Sequence, residues 1–453
     1  MTTRRDFLKQ SAVLAAGTVL LPNAFNINLN KSTRVVVIGA GFAGLAAAYR
    51  LKNKGFDVTV LEARNRIGGR VFSFEMDKKE KLVIELGGEW VGASHTRIQE
   101  MCKEFGLVLE NNQFDTHLIY AGKYSPKGKW SYSAEWTKKF DSIMKDYESF
   151  TDDDKKKLDK MDWWRFLTNN GIQNRDLEIR ELLDSTDFGE SIRHVSAFAA
   201  LAEYAESSPK NEMDLKIKGG NGMLAVKLAE KIGDKNIKTR FKVSEVDQTG
   251  SEINVKCVNG SEFKCDYVVC TTPTYSLSKI KWTPALPEDK TEALNALQYA
   301  RINKHAVLFN ERFWNDESFD MVTDIYGHYF YHATKNQKSP NGVLISYTIG
   351  DKADVIYRQN EKFKKNVIVE SLKPAFGDVS DKIMKQMTYN WGVDEYSKGA
   401  YALYKINQWY TVMPTLKSKF KNVYFAGEHL ADWQGFMEGA INTGEEAADE
   451  IIG

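Results

Sequence analysis

Arg34-Val35-Val36-Val37-Ile38-Gly39-Ala40-Gly41-Phe42-Ala43-Gly44, followed by Val60-Leu61-Glu62, is the stretch that decides the fold. Val35 to Ile38 are four β-branched residues in a row, the pattern of a parallel strand covered on both faces. Gly39, Gly41 and Gly44 then fit G-x-G-x-x-G, with Ala40 and Ala43 as the small residues between them. The first glycine allows a sharp turn, the second lets backbone approach a pyrophosphate, and the third lets the next helix pack close. Residues 42–54 are Ala/Leu-rich and predict that helix, its positive N-terminus facing the phosphates. Residues 57–61 predict a second strand, and Glu62 stands 23 residues past Gly39, where a carboxylate can accept from ribose hydroxyls. An acid there, rather than an arginine, argues against a 2′-phosphate and leaves NAD or FAD.

The chain has 453 residues, enough for two or three domains, with 62 basic against 61 acidic side chains. No basic stripe interleaved with aromatics stands out, so nucleic acid is not an expected partner. Aromatics make up 12%, including ten Trp and twenty Tyr, which suits a large apolar pocket or a large core. Cys102, Cys257, Cys265 and Cys270 have neither metal spacing nor a disulfide framework. Cys257 and Cys265 flank an Asn259-Gly260 turn, but a two-residue turn sets Cys257 opposite Glu262, so a bridge would need another register.

At the N-terminus, Thr3-Arg4-Arg5-Asp6-Phe7-Leu8-Lys9 precedes an apolar run from Ser11 to Leu21 that is too short to span a bilayer. It resembles a twin-arginine export signal; the basic region of a general secretory signal is the alternative. The expectation is a signal over residues 1–30 and a periplasmic or secreted protein exported already folded.

Beyond Glu62, Ala63-Arg64-Asn65-Arg66-Ile67-Gly68-Gly69-Arg70 is a turn whose amides can cradle phosphate and whose Arg64 or Arg70 can neutralise it. A second glycine pair follows in Gly87-Gly88-Glu89-Trp90, where backbone could approach a flat ring. Near the C-terminus, Val423-Tyr424-Phe425-Ala426-Gly427-Glu428 ends a strand, and Gly435-Phe436-Met437 opens a last helix. Together these motifs resemble the flavin-containing amine oxidase family, which includes monoamine, polyamine and L-amino acid oxidases. The resemblance runs from residue 33 to the C-terminus and decides for FAD over NAD.

The resemblance implies an α/β fold of two domains: a Rossmann-like FAD-binding domain and a substrate domain with a mixed sheet and helical cap. The FAD-binding domain is expected at residues 33–115, 212–300 and 420–453, and the substrate domain at 116–211 and 301–419. Residues 93–211 read as largely helical, with Asp152 to Lys157 a solvated helix turn or loop. Residues 240–246, 253–258 and 262–270 read as strands. By resemblance the cofactor contacts are Gly39, Ala40, Gly41, Ala43, Gly44, Glu62, Ala63, Arg64, Gly69, Arg70, Gly87, Gly88, Glu89, Trp90, Val243, Gly427, Glu428 and Met437.

The same resemblance assigns the chemistry. Lys304, ten residues before Trp314, matches a lysine that holds a water against flavin N5 and promotes the oxygen reaction. Tyr401 and Phe436 match two aromatic walls flanking the amine, with Trp391 beside them. Ala400 occupies the position where animal monoamine oxidases attach FAD through cysteine, so FAD should be noncovalent. Phe436 replaces a tyrosine common in those enzymes, which keeps the ring and removes a hydroxyl.

The implied reaction converts a primary or secondary amine to an imine or aldehyde while O2 becomes H2O2. An L-amino acid oxidase, yielding a 2-oxo acid, ammonia and H2O2, is the alternative. It needs a cation for the substrate carboxylate. At the second glycine pair the sequence offers Glu89, with Arg97 farther along and Arg301 as an unplaced candidate, so an amine fits better. A flavin-bound assembly protein and a desaturase-like flavoprotein are two further readings. Expected partners are an amine, O2, the twin-arginine export machinery and, as an open expectation, a second copy in a homodimer. No metal is expected.

Overall fold

The structure, a computed structural model, describes residues 32–432 and 434–453; the expected signal at 1–30 lies outside them. The chain begins with β1 (Arg34–Ile38), α1 (Phe42–Asn53) and β2 (Asp57–Glu62). It then crosses to a second domain through β3 (Asp115–Tyr120) and β4 (Lys123–Ser125), and a helical cap containing α2 (Asn174–Phe188) and α3 (Ala197–Glu206). It returns with α4 (Gly222–Ile232), β5 (Ile237–Thr239) and β6 (Tyr267–Cys270). A second crossing supplies β7 (Ile302–Phe309), β8 (Phe319–Thr323), β9 (Tyr329–His332), β10 (Gly342–Ile349) and β11 (Ile383–Asn390). Finally β12 (Val423–Phe425) and α5 (Met437–Ile452) rejoin the first domain.

The first domain is a five-stranded parallel sheet in the order β12-β6-β1-β2-β5. Val35 to Ile38 are buried because β1 has strands on both sides, with Val35 and Val37 in a cluster with residues of α1, α4 and α5, and Val36 and Ile38 in a cluster with Val243, Val246 and Val255 of a separate four-stranded sheet. Each such side chain contributes about 1.5–3 kcal/mol by burial. At the end of β1, Gly39 takes φ +105°, a conformation that L side chains rarely adopt, and its amide bonds the Leu61 carbonyl at 2.8 Å. Gly44 lies against this turn so closely that a Cβ would sit 1.9 Å from the Gly39 carbonyl oxygen. Gly444 of α5 similarly brings α5 onto α1, where a Cβ would sit 2.1 Å from the Ala43 carbonyl oxygen. Small residues therefore bring the N-termini of two helices together at the carboxyl ends of β1 and β12, where open α/β sheets bind ligands.

The second domain is a mixed seven-stranded sheet in the order β11-β7-β10-β9-β8-β3-β4, antiparallel except for β8 with β3. Every residue of β7, β8, β9 and β10 is buried. The polar residues these strands carry, among them Lys304 and Asp320, therefore stand in an otherwise apolar interior.

Several local expectations need correction. Residues 93–211 contain strands as well as helices, Leu109–Asn111, β3 and β4. Asp152–Leu158 takes the helical of its two expected forms, capped by a reciprocal box of Thr151 and Asp154, but it is not wholly solvated, since Lys155 and Leu158 are buried. The expected strand at 240–246 begins only at Val243, because Arg240 turns the chain with φ +65°. Residues 262–270 form two strands in different sheets, Glu262–Cys265 and β6. Asp266 between them accepts the Arg34 amide at 2.8 Å and anchors the break. The hairpin at Asn259-Gly260 has a three-residue loop with Gly260 at φ +84°, so Glu262 faces Lys256 and not Cys257. All four cysteines are buried free thiols.

Candidate active site

A continuous cavity of about 600 Å³ runs from the end of β2 to the face of the seven-stranded sheet. It is lined by all the expected site residues except Ala40 and Gly44, which shape its wall from behind. At one end the Glu62 carboxylate accepts the amides of Ala40 and Arg64, both at 2.7 Å. This fixes the acid at the strand terminus, and each oxygen keeps a lone pair for a hydroxyl donor. Gly69 faces Gly41 so closely that a Cβ on Gly69 would lie 3.1 Å from the Gly41 Cα. Backbone amides can reach a phosphate here because no side chain intervenes.

The arginines of this end are committed elsewhere. Arg64 donates to both carboxylate oxygens of Asp394, one at 2.9 Å, and lies over the Tyr396 ring. Arg70 donates to Glu428 and to the Ala400 carbonyl. Burial would raise the Glu428 carboxyl, but the Arg70 charge outweighs it and holds the group below the usual range. The other Glu428 oxygen accepts the amides of Ala402 and Gly435, at 3.2 and 2.9 Å. Arg64 and Arg70 thus line the cavity with an internal carboxylate partner each, beside the backbone amides and helix N-termini of the same end.

At the other end, Lys304 Nζ donates to the carbonyls of Glu85 and Gly87 at 3.1 and 2.8 Å and lies 3.4 Å from Glu89 Oε2. Glu89 accepts Tyr331 Oη at 2.9 Å and Lys216 Nζ at 2.7 Å. It follows that Glu89 is not a free acid facing substrate, and the sequence argument that it selects an amine does not stand. Burial pushes Glu85 up to about 7 and pushes Lys304 below the ordinary lysine range. The cluster thus approaches neutrality around one Lys216–Glu89 ion pair. A neutral Lys304 amine uses its two N–H groups on the two carbonyls and leaves a lone pair to accept a proton from water.

Tyr401 donates to the Asp187 carbonyl at 2.9 Å and lies 3.1 Å from the Tyr347 hydroxyl. Gly435, with φ +88°, packs against the Tyr401 ring, and Phe436, which also lines the cavity, packs edge-on against His95 with ring centroids 5.0 Å apart. Trp391 bonds the Leu86 carbonyl at 2.7 Å. Among the lining residues that had no signal in the sequence are Asp187, Glu203, Asp320 and Tyr329. Asp187 and Glu203 come from α2 and α3 of the cap, and Asp320 and Tyr329 from β8 and β9. Only the tertiary fold directs them inward. Neither Arg97 nor Arg301 lines the cavity. Arg97 is bound to Glu445 and Glu100, and Arg301 to Glu190, Asp351 and Asp354.

Residues 42–452 match the family model for flavin-containing amine oxidoreductases. The chain belongs to that family. It is 27% identical to an L-amino-acid oxidase of Crotalus adamanteus, over 92% of this chain and 86% of that protein. It is 26% identical to flavin-containing amine oxidase A of Equus caballus, over 92% and 84%. In structure it resembles a putrescine oxidase triple mutant (TM-score 0.84, 22% identity) and the cyclohexylamine oxidase of Brevibacterium oxydans IH-35A (TM-score 0.82, 20% identity), each covering 93% of this chain and 99% of the other. These structural likenesses carry the fold. The family makes the protein an FAD-dependent amine oxidase acting on a small-molecule amine with O2. The residues present fit that cofactor: a glycine-lined cradle beside two helix N-termini opens into an apolar, tyrosine-walled chamber. Neither cysteine nor histidine lines the cavity among the described residues, so no such side chain is placed to bind the flavin covalently.

Proposed function

We propose that this family member oxidises amines lacking an α-carboxylate, in preference to L-amino acids. One observation carries the reading: both arginines that line the cavity, Arg64 and Arg70, are bound to carboxylates, while the chamber is lined by Asp187, Glu203 and Asp320. A substrate carboxylate entering it would meet buried acids with no free cation to offset them, an unfavourable arrangement in a low-dielectric site.

FAD, when bound, supplies the two-electron oxidation and passes the electrons to O2. The protein's own part is positioning and proton control. Tyr401 and Phe436 wall the amine, and burial among Tyr329, Tyr347 and Val322 favours its neutral form. Lys304, pushed toward the neutral amine, can hold a water at the chamber floor.

Phenethylamine and L-phenylalanine differ only in the carboxylate, so peroxide formation with this pair tests the reading. The amine should turn over and the amino acid should not; the reverse order overturns the proposal.

Export by the twin-arginine route to the periplasm is part of the same proposal, supported by Arg4-Arg5 and the apolar run that follows. Cell fractionation of the wild type and an Arg4→Lys/Arg5→Lys variant tests it, with cytoplasmic retention of the variant expected. A homodimer is likewise proposed only as an expectation, to be read by sedimentation.

A further inference from the structure

Behind the aromatic wall stands a buried histidine that the chemistry above does not use. His95 is wholly buried and does not line the chamber, and its ring meets Phe436 edge-on, 5.0 Å between centroids and 64° between planes. It occupies the N-cap position of the helix Thr96–Glu104, yet its side chain makes no cap bond. The carboxylate of Glu438, two residues after Phe436, accepts the amides of Arg97 and Ile98 there, at 2.8 and 2.9 Å. Arg97 also donates to both carboxylate oxygens of Glu445, at 2.8 and 2.7 Å, so the first turn of this helix is fastened to α5.

The imidazole is anchored by other partners. Its Nδ1 accepts the Gly92 amide at 2.8 Å, so the neutral ring carries its proton on Nε2, 3.5 Å from Glu212 Oε2. Burial pushes His95 down to about 4, with the Asp214 charge opposing, and this keeps the ring in that neutral form. Glu212 is itself wholly buried and accepts Ser94 Oγ at 2.7 Å and the Ser208 amide at 2.6 Å. It has room because residue 92 is glycine: a Cβ there would lie 1.4 Å from Glu212 Oε2. Asn211 and Glu212 have φ of +49° and +59°, uncommon for two consecutive non-glycine residues, and the bonds to Glu212 hold the chain in that shape. Asn211 and Met213, on either side of Glu212, line both the chamber and an adjoining cavity.

We propose that His95 is a positioning residue for the substrate: anchored by Gly92 and Glu212, it holds the Phe436 ring where the amine needs it. This rests on the amine reading only in taking Phe436 as a wall of the site. The Phe436 ring is half-buried and borders the cavity, so the packing behind it decides where that wall stands. Tyr401, the other wall, is fixed separately by the Asp187 carbonyl and the Tyr347 hydroxyl. A change at His95 therefore moves one wall and leaves the other in place. Because Glu212 lies on the stretch between α3 and α4, the same contact also sets the Phe436 wall relative to the helical cap.

The test titrates the FAD-loaded enzyme with α,α-dimethylbenzylamine, which has no α-hydrogen and binds without being oxidised, and reads Kd from the flavin absorbance. Wild type is compared with His95→Gln, which loses the ring and keeps an N–H for Glu212, and with Glu212→Gln, which keeps the ring and weakens its anchor. Each is made alone and together with Phe436→Ala. His95→Gln should raise this Kd, and the KM for phenethylamine, about 3- to 10-fold, the factor expected of one edge-to-face ring pair, with kcat within about 2-fold of wild type. Glu212→Gln should move both constants in the same direction. In the Phe436→Ala background neither substitution should move them further, because the ring they act on is gone. Either variant with wild-type Kd and KM, or a shift that persists undiminished without Phe436, overturns the proposal and leaves amine oxidation standing. If His95→Gln does not fold, Glu212→Gln alone decides by the same criteria. Oxidation of L-phenylalanine with no turnover of phenethylamine overturns the amine reading instead, and the His95 comparison is then decided in the KM for L-phenylalanine.

Discussion

Replacing Glu89 by glutamine should destabilise the protein severely, because its carboxylate is the counter-ion of buried Lys216 and also lies beside Lys304. Lys216 Nζ lies 2.7 Å from Oε1 and Lys304 Nζ 3.4 Å from Oε2. At an effective dielectric constant of about 20, unit charges at those separations attract by roughly 5–6 kcal/mol each. Lys304 is shifted toward neutrality and Glu85 remains nearby, which brings the net loss to about 3–5 kcal/mol, the usual effect of deleting one partner from a buried pair. The assay is urea unfolding of the FAD-loaded enzyme followed by tryptophan fluorescence. Glu89→Gln combined with Lys216→Met should lose less than the two single losses added, since the double variant leaves no unpaired Lys216 charge. A Glu89→Gln protein within about 1 kcal/mol of wild type would refute the compensated-cluster reasoning.

Three other outcomes follow from the geometry. Gly44→Ala forces a methyl to within 1.9 Å of the Gly39 carbonyl oxygen, so FAD retention on dialysis should be lost; a fully loaded variant counts against the cradle. Lys304→Met should slow reoxidation of the reduced enzyme by O2 on the order of 100-fold, as expected for one positioned proton-transfer group, and an unchanged rate in stopped flow removes Lys304 from that role. Stability should fall as pH drops from about 6.5 toward 4.5. Burial lowers His95, His305 and His429 to about 4 and His328 and His332 to about 3, so the unfolded chain binds protons there that the fold does not. Glu85, Asp187 and Asp320, raised to about 7, oppose this by holding protons in the fold. Five groups against three leave a net slope of roughly 3 kcal/mol per pH unit. Urea midpoints that stay flat across the window contradict it.

What the sequence revealed was what local backbone geometry dictates. Gly39 and Gly44 are required within one turn of chain, so the β1-α1-β2 unit, Glu62 and the opening of α5 were readable in advance. Charge compensation was not. Asp394 lies 330 residues from Arg64 and Glu428 lies 358 from Arg70, so nothing near either arginine announces its partner. Glu89 looked like a free acid for the same reason, its partners Lys216 and Tyr331 coming from other elements. Asp187 and Asp320 looked like ordinary polar residues of a helix and a strand, and only the cap closing over the sheet turned them inward. The missed strands near residues 109–125 are short, three to six residues each, too brief for alternation to be distinguished from helical spacing.

The most direct measurement is the visible flavin absorbance of the purified enzyme, mixed anaerobically with phenethylamine or L-phenylalanine and then unfolded and ultrafiltered. The amine alone should bleach the band, and unfolding should release free FAD into the filtrate. A colourless protein after reconstitution with FAD, or bleaching by the amino acid alone, would contradict the account.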